Sequence, residues 1–261
     1  MRRKKKCFLE PVYSVVYALI TYIFTYSAFI FFVFICRGKI ENEEKIERNL
    51  RGGFIIASNH VSYLDSLVLY AYFHFRYRIR LLIVAKNKML KHPLWNLIAK
   101  GARVVRVSDC GTRIMSLKEF RRLAEAKYIG IFPEATRSAT GELITPHGGA
   151  IKLAARNNIP LIPLRLEGFY EAWPRERKWP KPHPCRIVIG TECRFDRAQV
   201  TQADEDALAR CILKILHTLK PAEIEVKERA IPLKPPIPAL KKSAKAKAIP
   251  TKWKIVHDGS K

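Results

Sequence analysis

Three short stretches hold side chains whose types and spacing could do chemistry. In Asn59-His60-Val61-Ser62-Tyr63-Leu64-Asp65 a histidine is followed, four intervening residues later, by a carboxylate, directly after the apolar run Phe54-Ile55-Ile56-Ala57. The run reads as a buried strand, and Ser62 reads as the N-cap of a helix in which Asp65 takes the third position, the spacing of a capping box. His60 then lies in the strand-to-helix turn, where a carboxylate one turn away can fix the imidazole tautomer and support a general base. A helix cap alone would explain Asp65 equally well. The second stretch, Ile129 to Ser138, is an apolar strand that stops at Pro133 and turns out with Glu134, Thr136, Arg137 and Ser138 close together. A guanidinium offers a planar fork for phosphate, and a neighbouring glutamate can orient it or accept from a glycerol hydroxyl; a surface ion pair is the simpler alternative. The third, Gly101-Ala102-Arg103-Val104-Val105-Arg106, reads as a strand with Arg103 outward and Arg106 at its carboxyl end, a second cation for one phosphate, although taken alone a solvated strand terminus is the simpler reading of Arg106.

These groups need a scaffold that gathers strand ends. Strands are predicted near 54–57, 80–85, 102–107, 128–133, 161–166 and 186–191, and helices near 64–74, 112–126, 147–157 and 204–218. That alternation predicts an α/β domain over 53–219, a mixed, largely parallel sheet flanked by helices, with ligands at the carboxyl ends of its strands. A polar connector, 37–52, precedes it, and a Pro- and Lys-rich tail, 220–261, follows. Arg2 to Lys6 are all basic, while 11–36 contains no charged residue, so 1–36 reads as a basic leader and an N-terminal membrane-embedded helical segment. Tyr13, Tyr17, Tyr22 and Tyr26 recur along it, which allows a shallow or re-entrant placement as well as a span.

The formal net charge is +25, from 48 Lys and Arg against 23 Asp and Glu, so an anionic partner is expected. No nucleic-acid-binding signature accompanies that charge, and a membrane-tethered nucleic-acid-binding protein would leave the three stretches unexplained. The six cysteines are scattered with no Cys-x-x-Cys pair, which predicts neither a metal site nor a disulfide scaffold.

Taken in order, Asn59 to Asp65, Gly101 to Arg106, Phe132 to Ser138 and the proline-containing apolar stretch Ile159 to Leu164 resemble the four blocks of the glycerolipid acyltransferase family, which contains the bacterial 1-acylglycerol-3-phosphate O-acyltransferases. The resemblance covers roughly 50–195. It implies His60 as general base, Asp65 as its orienter, Arg106 as a phosphate contact, and Glu134, Thr136 and Arg137 as acceptor-binding groups. The implied reaction moves an acyl chain from acyl-CoA or acyl carrier protein, with no further cofactor, to the hydroxyl of a lysophospholipid, most simply 1-acylglycerol-3-phosphate. Two departures keep another lysolipid acceptor open, such as an amino-acid-based one: the glycine of the third block is Ala135, and His147-Gly148-Gly149-Ala150 lacks the lysine of the family's lysine-glycine-alanine turn. Basic residues ahead of the apolar segment place the N-terminus inside, so a full span would put the domain outside, away from acyl-CoA. A segment embedded in the cytoplasmic leaflet of the inner membrane, with the catalytic domain on the cytoplasmic face, resolves that conflict.

Overall fold

The computed structural model describes residues 10–87, 89–107 and 117–219. Its centre is β2 (Phe54–Ser58), buried at every position, as expected of an apolar run covered on both faces. Around it the sheet runs in the order β1 (Lys39–Glu41), β7 (Arg186–Ile189), β6 (Leu161–Glu167), β2, β5 (Tyr128–Ile131), β3 (Leu82–Lys86), β4 (Val104–Val107). All pairings are parallel except that between β6 and β7. Parallel neighbours need crossovers, and helices supply them on both faces.

One face carries α1 (Glu10–Ile30), which continues as a π-helical turn over Phe31–Ile35, together with α3 (Leu64–Tyr77), α4 (Pro93–Gly101) and α7 (Phe169–Ala172). Phe32, Leu67, Val68, Phe73, Ile98 and Phe169 pack there onto Ile56, Ile83, Leu164 and Ile187. The other face carries α5 (Leu117–Ala124), α6 (Gly149–Asn157), α8 (Arg197–Gln202) and α9 (Glu205–Thr218). Leu123, Ala154, Leu208 and Ile212 pack there onto Ile55, Leu82, Val105 and Ile129.

The α/β reading stands, with bounds shifted by a few residues and with β1, α2 (Glu44–Glu47), α4, α7 and α8 added. The polar stretch 37–52 contributes the edge strand β1 and the short helix α2. Three residues are too few to show alternation, so composition could not reveal β1. Helix α4 escaped the sequence reading although Pro93 at its first turn and Gly101 at its end are ordinary helix signals. The leader 1–9 and the tail 220–261 lie outside the described residues, as does most of the first half of the helix expected near 112–126.

Tyr13–Ile35 is long and apolar enough to cross a membrane. It is not a free span, because one side of it lies along α3 and α4. Thr21 Oγ1 donates to the Ile98 carbonyl at 2.8 Å, and Lys100 Nζ sits 4.6 Å from the centroid of the Tyr17 ring. Gly101 makes the close approach possible, since a Cβ there would stand 2.2 Å from the Tyr17 carbonyl oxygen. Gly101→Ala is therefore expected to push α1 off α4 and to destabilise the protein by about 1–3 kcal/mol, read as a lower Tm and earlier proteolytic loss of the N-terminal segment.

Candidate active site

Because β2 and β5 are adjacent and parallel, the turns after Ser58 and Ile131 leave the sheet side by side. Asn59 extends the β2–β6 ladder one step with its side chain. Its Oδ1 accepts from the Leu166 amide at 2.8 Å and its Nδ2 donates to the Leu166 carbonyl at 3.0 Å. That buried clamp lets the chain turn away and sets His60 at the mouth of the turn; in the sequence Asn59 belonged to a motif but had no stated role.

His60 Nδ1 lies 2.8 Å from Asp65 Oδ2. The same oxygen accepts from the amides of Val61 at 2.7 Å and Ser62 at 2.8 Å. One carboxylate oxygen thus holds the turn ahead of α3 and contacts the histidine from the same position. With Nδ1–H donated to the carboxylate, Nε2 carries the free lone pair. The imidazole rests on the Phe132 ring, centroids 4.2 Å apart. The expected N-cap differs in detail. Helix α3 begins at Leu64, Tyr63 occupies the cap position with helical dihedrals, and Asp65 is the second helical residue. Ser62 Oγ accepts from the Leu64 amide and donates to the Trp173 carbonyl at 2.7 Å, tying the turn to the loop after α7.

The second loop is joined to the first by the Ser138 amide, which donates to the His60 carbonyl at 2.8 Å. Glu134 is only 3% exposed, and neither of its oxygens has a hydrogen-bond partner. Burial pushes its carboxyl up to about 8, the nearby His60 amide opposes that, and the Asp65 charge adds to it. The expected pairing of Glu134 with Arg137 is not formed, since Arg137 Nη1 is also buried without a partner. Arg137 instead lies over the Tyr63 ring, 3.6 Å from its centroid, and Tyr63 in turn stacks on Trp95 at 5.5 Å. This aromatic support was invisible in the sequence because Tyr63, Trp95 and Arg137 come from three separate segments.

Ala135 has φ +56°, a left-handed conformation that costs an L-residue about 1–2 kcal/mol. Glycine at this position would remove the strain at the expense of roughly 0.5–1 kcal/mol of chain entropy. Ala135→Gly is accordingly expected to leave Tm unchanged or raise it slightly, by calorimetry, without lowering turnover.

His60, Thr136, Arg137 and His147 border a cavity of about 630 Å³. It runs from the carboxyl ends of β3 and β5 to an apolar wall formed by Leu67, Tyr70, Ile83 and Ile98, with Thr25 of α1 also lining it. Asp65 and Glu134 stand behind this surface. Arg106 does not reach it: its side chain is exposed on the edge strand β4, between Val104 and Val107, which do line the cavity. The Arg106 amide is held by Glu119 at 3.2 Å. His147 lines the cavity where the lysine of the family turn was expected, and its amide donates to the Pro133 carbonyl at 2.8 Å.

The Acyltransferase family model matches residues 37–167. A curated 1-acyl-sn-glycerol-3-phosphate acyltransferase from Cocos nucifera is 32% identical over 118 residues, covering 43% of this chain and 38% of that protein. A protein of the same name from Limnanthes alba is 29% identical over 155 residues, 58% of this chain and 54% of that one. The chain therefore spans about half, or less, of the curated relatives it matches. The crystal structure of the 1-acyl-sn-glycerophosphate (LPA) acyltransferase PlsC from Thermotoga maritima superposes with a TM-score of 0.57 at 20% identity, covering 84% of this chain and 82% of that one, and so shares the fold. The matched segment is half of the chain and carries the His60–Asp65 pair, the Phe132 to Ser138 loop and the strands that bring them together, and on that ground the chain belongs to the Acyltransferase family.

Proposed function

We propose that the protein transfers an acyl chain from a thioester, acyl-CoA or acylated carrier protein, to the free hydroxyl of 1-acylglycerol-3-phosphate, forming phosphatidic acid. The observation that carries this reading is the His60–Asp65 pair, a part-exposed imidazole backed by a fully buried carboxylate, at the mouth of a cavity with a guanidinium on its polar side and an apolar wall at depth. His60 Nε2 takes the proton of the acceptor hydroxyl as its oxygen attacks the thioester carbonyl carbon. The tetrahedral intermediate collapses with loss of the C–S bond, and the leaving thiolate takes its proton from the imidazolium. Asp65, already bonded to Nδ1–H, stabilises the imidazolium without accepting its proton. No acyl-enzyme and no cofactor enter the sequence. That the curated relatives are 1-acyl-sn-glycerol-3-phosphate acyltransferases supports the same acceptor.

Arg137 is the acceptor's phosphate contact in this scheme, with Thr136 at the rim; Glu134 shapes the loop from behind. Arg106 would be a second phosphate contact only for an acceptor that extends beyond the cavity to the exposed side chain near the end of β4. Arg137→Ala is expected to raise the KM for a phosphorylated acceptor by roughly tenfold or more, the worth of a charge-assisted pair, with little change in the donor KM. Initial-rate kinetics varying each substrate in turn would show it, and a change confined to the donor would reassign the residue.

The docking of α1 along α3 and α4 supports a segment held in one leaflet with the domain against it, on the cytoplasmic side where acyl-CoA is expected. Protease accessibility of the chain's C-terminal end in sealed vesicles tests that side. The acceptor is tested by a panel of 1-acylglycerol-3-phosphate, lysophosphodiester lipids and an amino-acid-based lysolipid with one labelled acyl donor. Label in phosphatidic acid is expected; the strained Ala135 and the outward Arg106 make the amino-acid-based lysolipid the acceptor to compare it with.

A further inference from the structure

Beyond α1, one more segment faces outward with an apolar tip. The loop 173–184 is proline-rich, carrying Pro174, Pro180, Pro182 and Pro184, and its base is firmly held. The Trp173 carbonyl accepts from Ser62 Oγ, Trp173 Nε1 donates to the Arg177 carbonyl at 3.1 Å, Arg177 Nη1 donates to the Glu171 carbonyl at 3.2 Å, and the Lys181 amide donates to the Ala172 carbonyl at 2.8 Å. At its tip Trp179 is 70% exposed. One exposed aromatic means little alone, but an aromatic that continues a larger exposed apolar face marks a contact surface.

Two observations say which one. First, Trp179 and Pro180 line a groove whose opposite wall is Phe24, Ala28 and Phe31 of the apolar N-terminal helix. Beside those residues Leu19, Ile23, Ile30 and Phe34 stand exposed, so the loop continues the apolar face that the proposed leaflet-embedded helix presents. Second, Arg175, Arg177, Lys178 and Lys181 are all exposed around Trp179, and the single acid among them, Glu176, is paired with Arg175 at 3.2 Å. Tryptophan flanked by uncompensated cations, beside an apolar helix face, matches the interfacial zone of a bilayer, where the ring sits at headgroup depth and nearby lysines and arginines are drawn to anionic lipid.

We propose that loop 173–184 is a second membrane contact, with Trp179 seated in the interface and Arg177, Lys178 and Lys181 on the phosphates of anionic phospholipids in the leaflet that holds α1. This rests on the reading of α1 as leaflet-embedded. Its consequence is positional: Arg175 of the same loop also lines the catalytic cavity, so seating the loop holds the cavity mouth at the headgroup plane. A lysolipid then needs to rise only partway out of the bilayer for its hydroxyl to reach His60.

The test uses the full chain in vesicles of phosphatidylcholine with and without phosphatidylglycerol, and reads tryptophan fluorescence rather than acyl transfer. Subtracting the signal of Trp179→Phe from that of the parent isolates Trp179. Its signal is expected to be quenched by lipids brominated near the glycerol backbone, shielded from aqueous acrylamide, and to lose the bromine quenching when phosphatidylglycerol is omitted or when Arg177→Gln and Lys178→Gln are combined. A Trp179 signal as open to acrylamide in vesicles as in detergent overturns the proposal. So does one shielded from both quenchers, which would put a protein surface on the groove. A parent that fails to float with vesicles removes the embedded-helix reading and this one together, whereas a floating parent with an open Trp179 removes only the loop's role.

Discussion

His60→Ala is expected to lose about 10²- to 10⁴-fold in turnover while keeping its fold and both KM values near those of the parent. The imidazole stands at the mouth of the turn, and its removal leaves the Asp65 bonds to the Val61 and Ser62 amides intact. Its ring packs on Phe132 alone among the described aromatic contacts, so Tm should fall little. Asp65→Ala separates the two jobs of that carboxylate. It should share the loss of turnover and also leave two buried amides unpaired, a destabilisation of about 1–3 kcal/mol for each. Thermal melts run beside thioester-consumption kinetics distinguish the cases. A stable Asp65→Ala would show that the capping bonds are dispensable, and a His60→Ala enzyme with parental turnover would remove the base.

Glu134→Gln is expected to make the protein more stable, by an amount that grows with pH. Glu134 holds its proton to about pH 8 in the folded chain, whereas in the unfolded chain it releases it near the ordinary glutamate value of 4.5. Below about 4.5 both states are protonated and the residue is neutral in its effect. Between 4.5 and 8 the unfolded state binds fewer protons than the folded one, so stability falls as pH rises, by about 1.4 kcal/mol per unit. Above 8 both states are ionised and the penalty, on the order of a few kcal/mol, is constant. Glutamine carries no such penalty. Melts of parent and variant at pH 4, 7 and 9 should therefore nearly coincide at the lowest pH and diverge upward. Parallel melting points across that range would mean that Glu134 finds a compensating partner. At neutral pH the largely uncharged carboxyl also spares His60 and Asp65 a second buried anion beside them.

What the sequence made legible follows from where its signals were local. Phe54 to Ala57 and Ile129 to Ile131 announced buried strands because apolar runs of that length have few other uses, and the spacing of His60 and Asp65 survives folding because one helical turn brings them together. Long-range facts were not legible. The Asn59 clamp on Leu166 joins residues more than a hundred positions apart, and the Arg137–Tyr63–Trp95 stack draws on three segments. Glu134 looked like an exposed loop carboxylate because its neighbours Thr136 and Arg137 are polar, yet the close packing of the two motif loops buries it. Arg106 was placed by its position at a strand end, and what the sequence did not show is that this strand is the sheet edge, where the side chain is exposed.

The most direct test of the account measures free thiol released from a long-chain acyl-CoA by the purified protein, with and without 1-acylglycerol-3-phosphate. Thiol release that requires the acceptor, matches the phosphatidic acid formed and leaves no acyl group on the protein is the expected result. Thiol release at the same rate without any acceptor, or an acylated protein accumulating in its absence, would contradict direct attack assisted by His60.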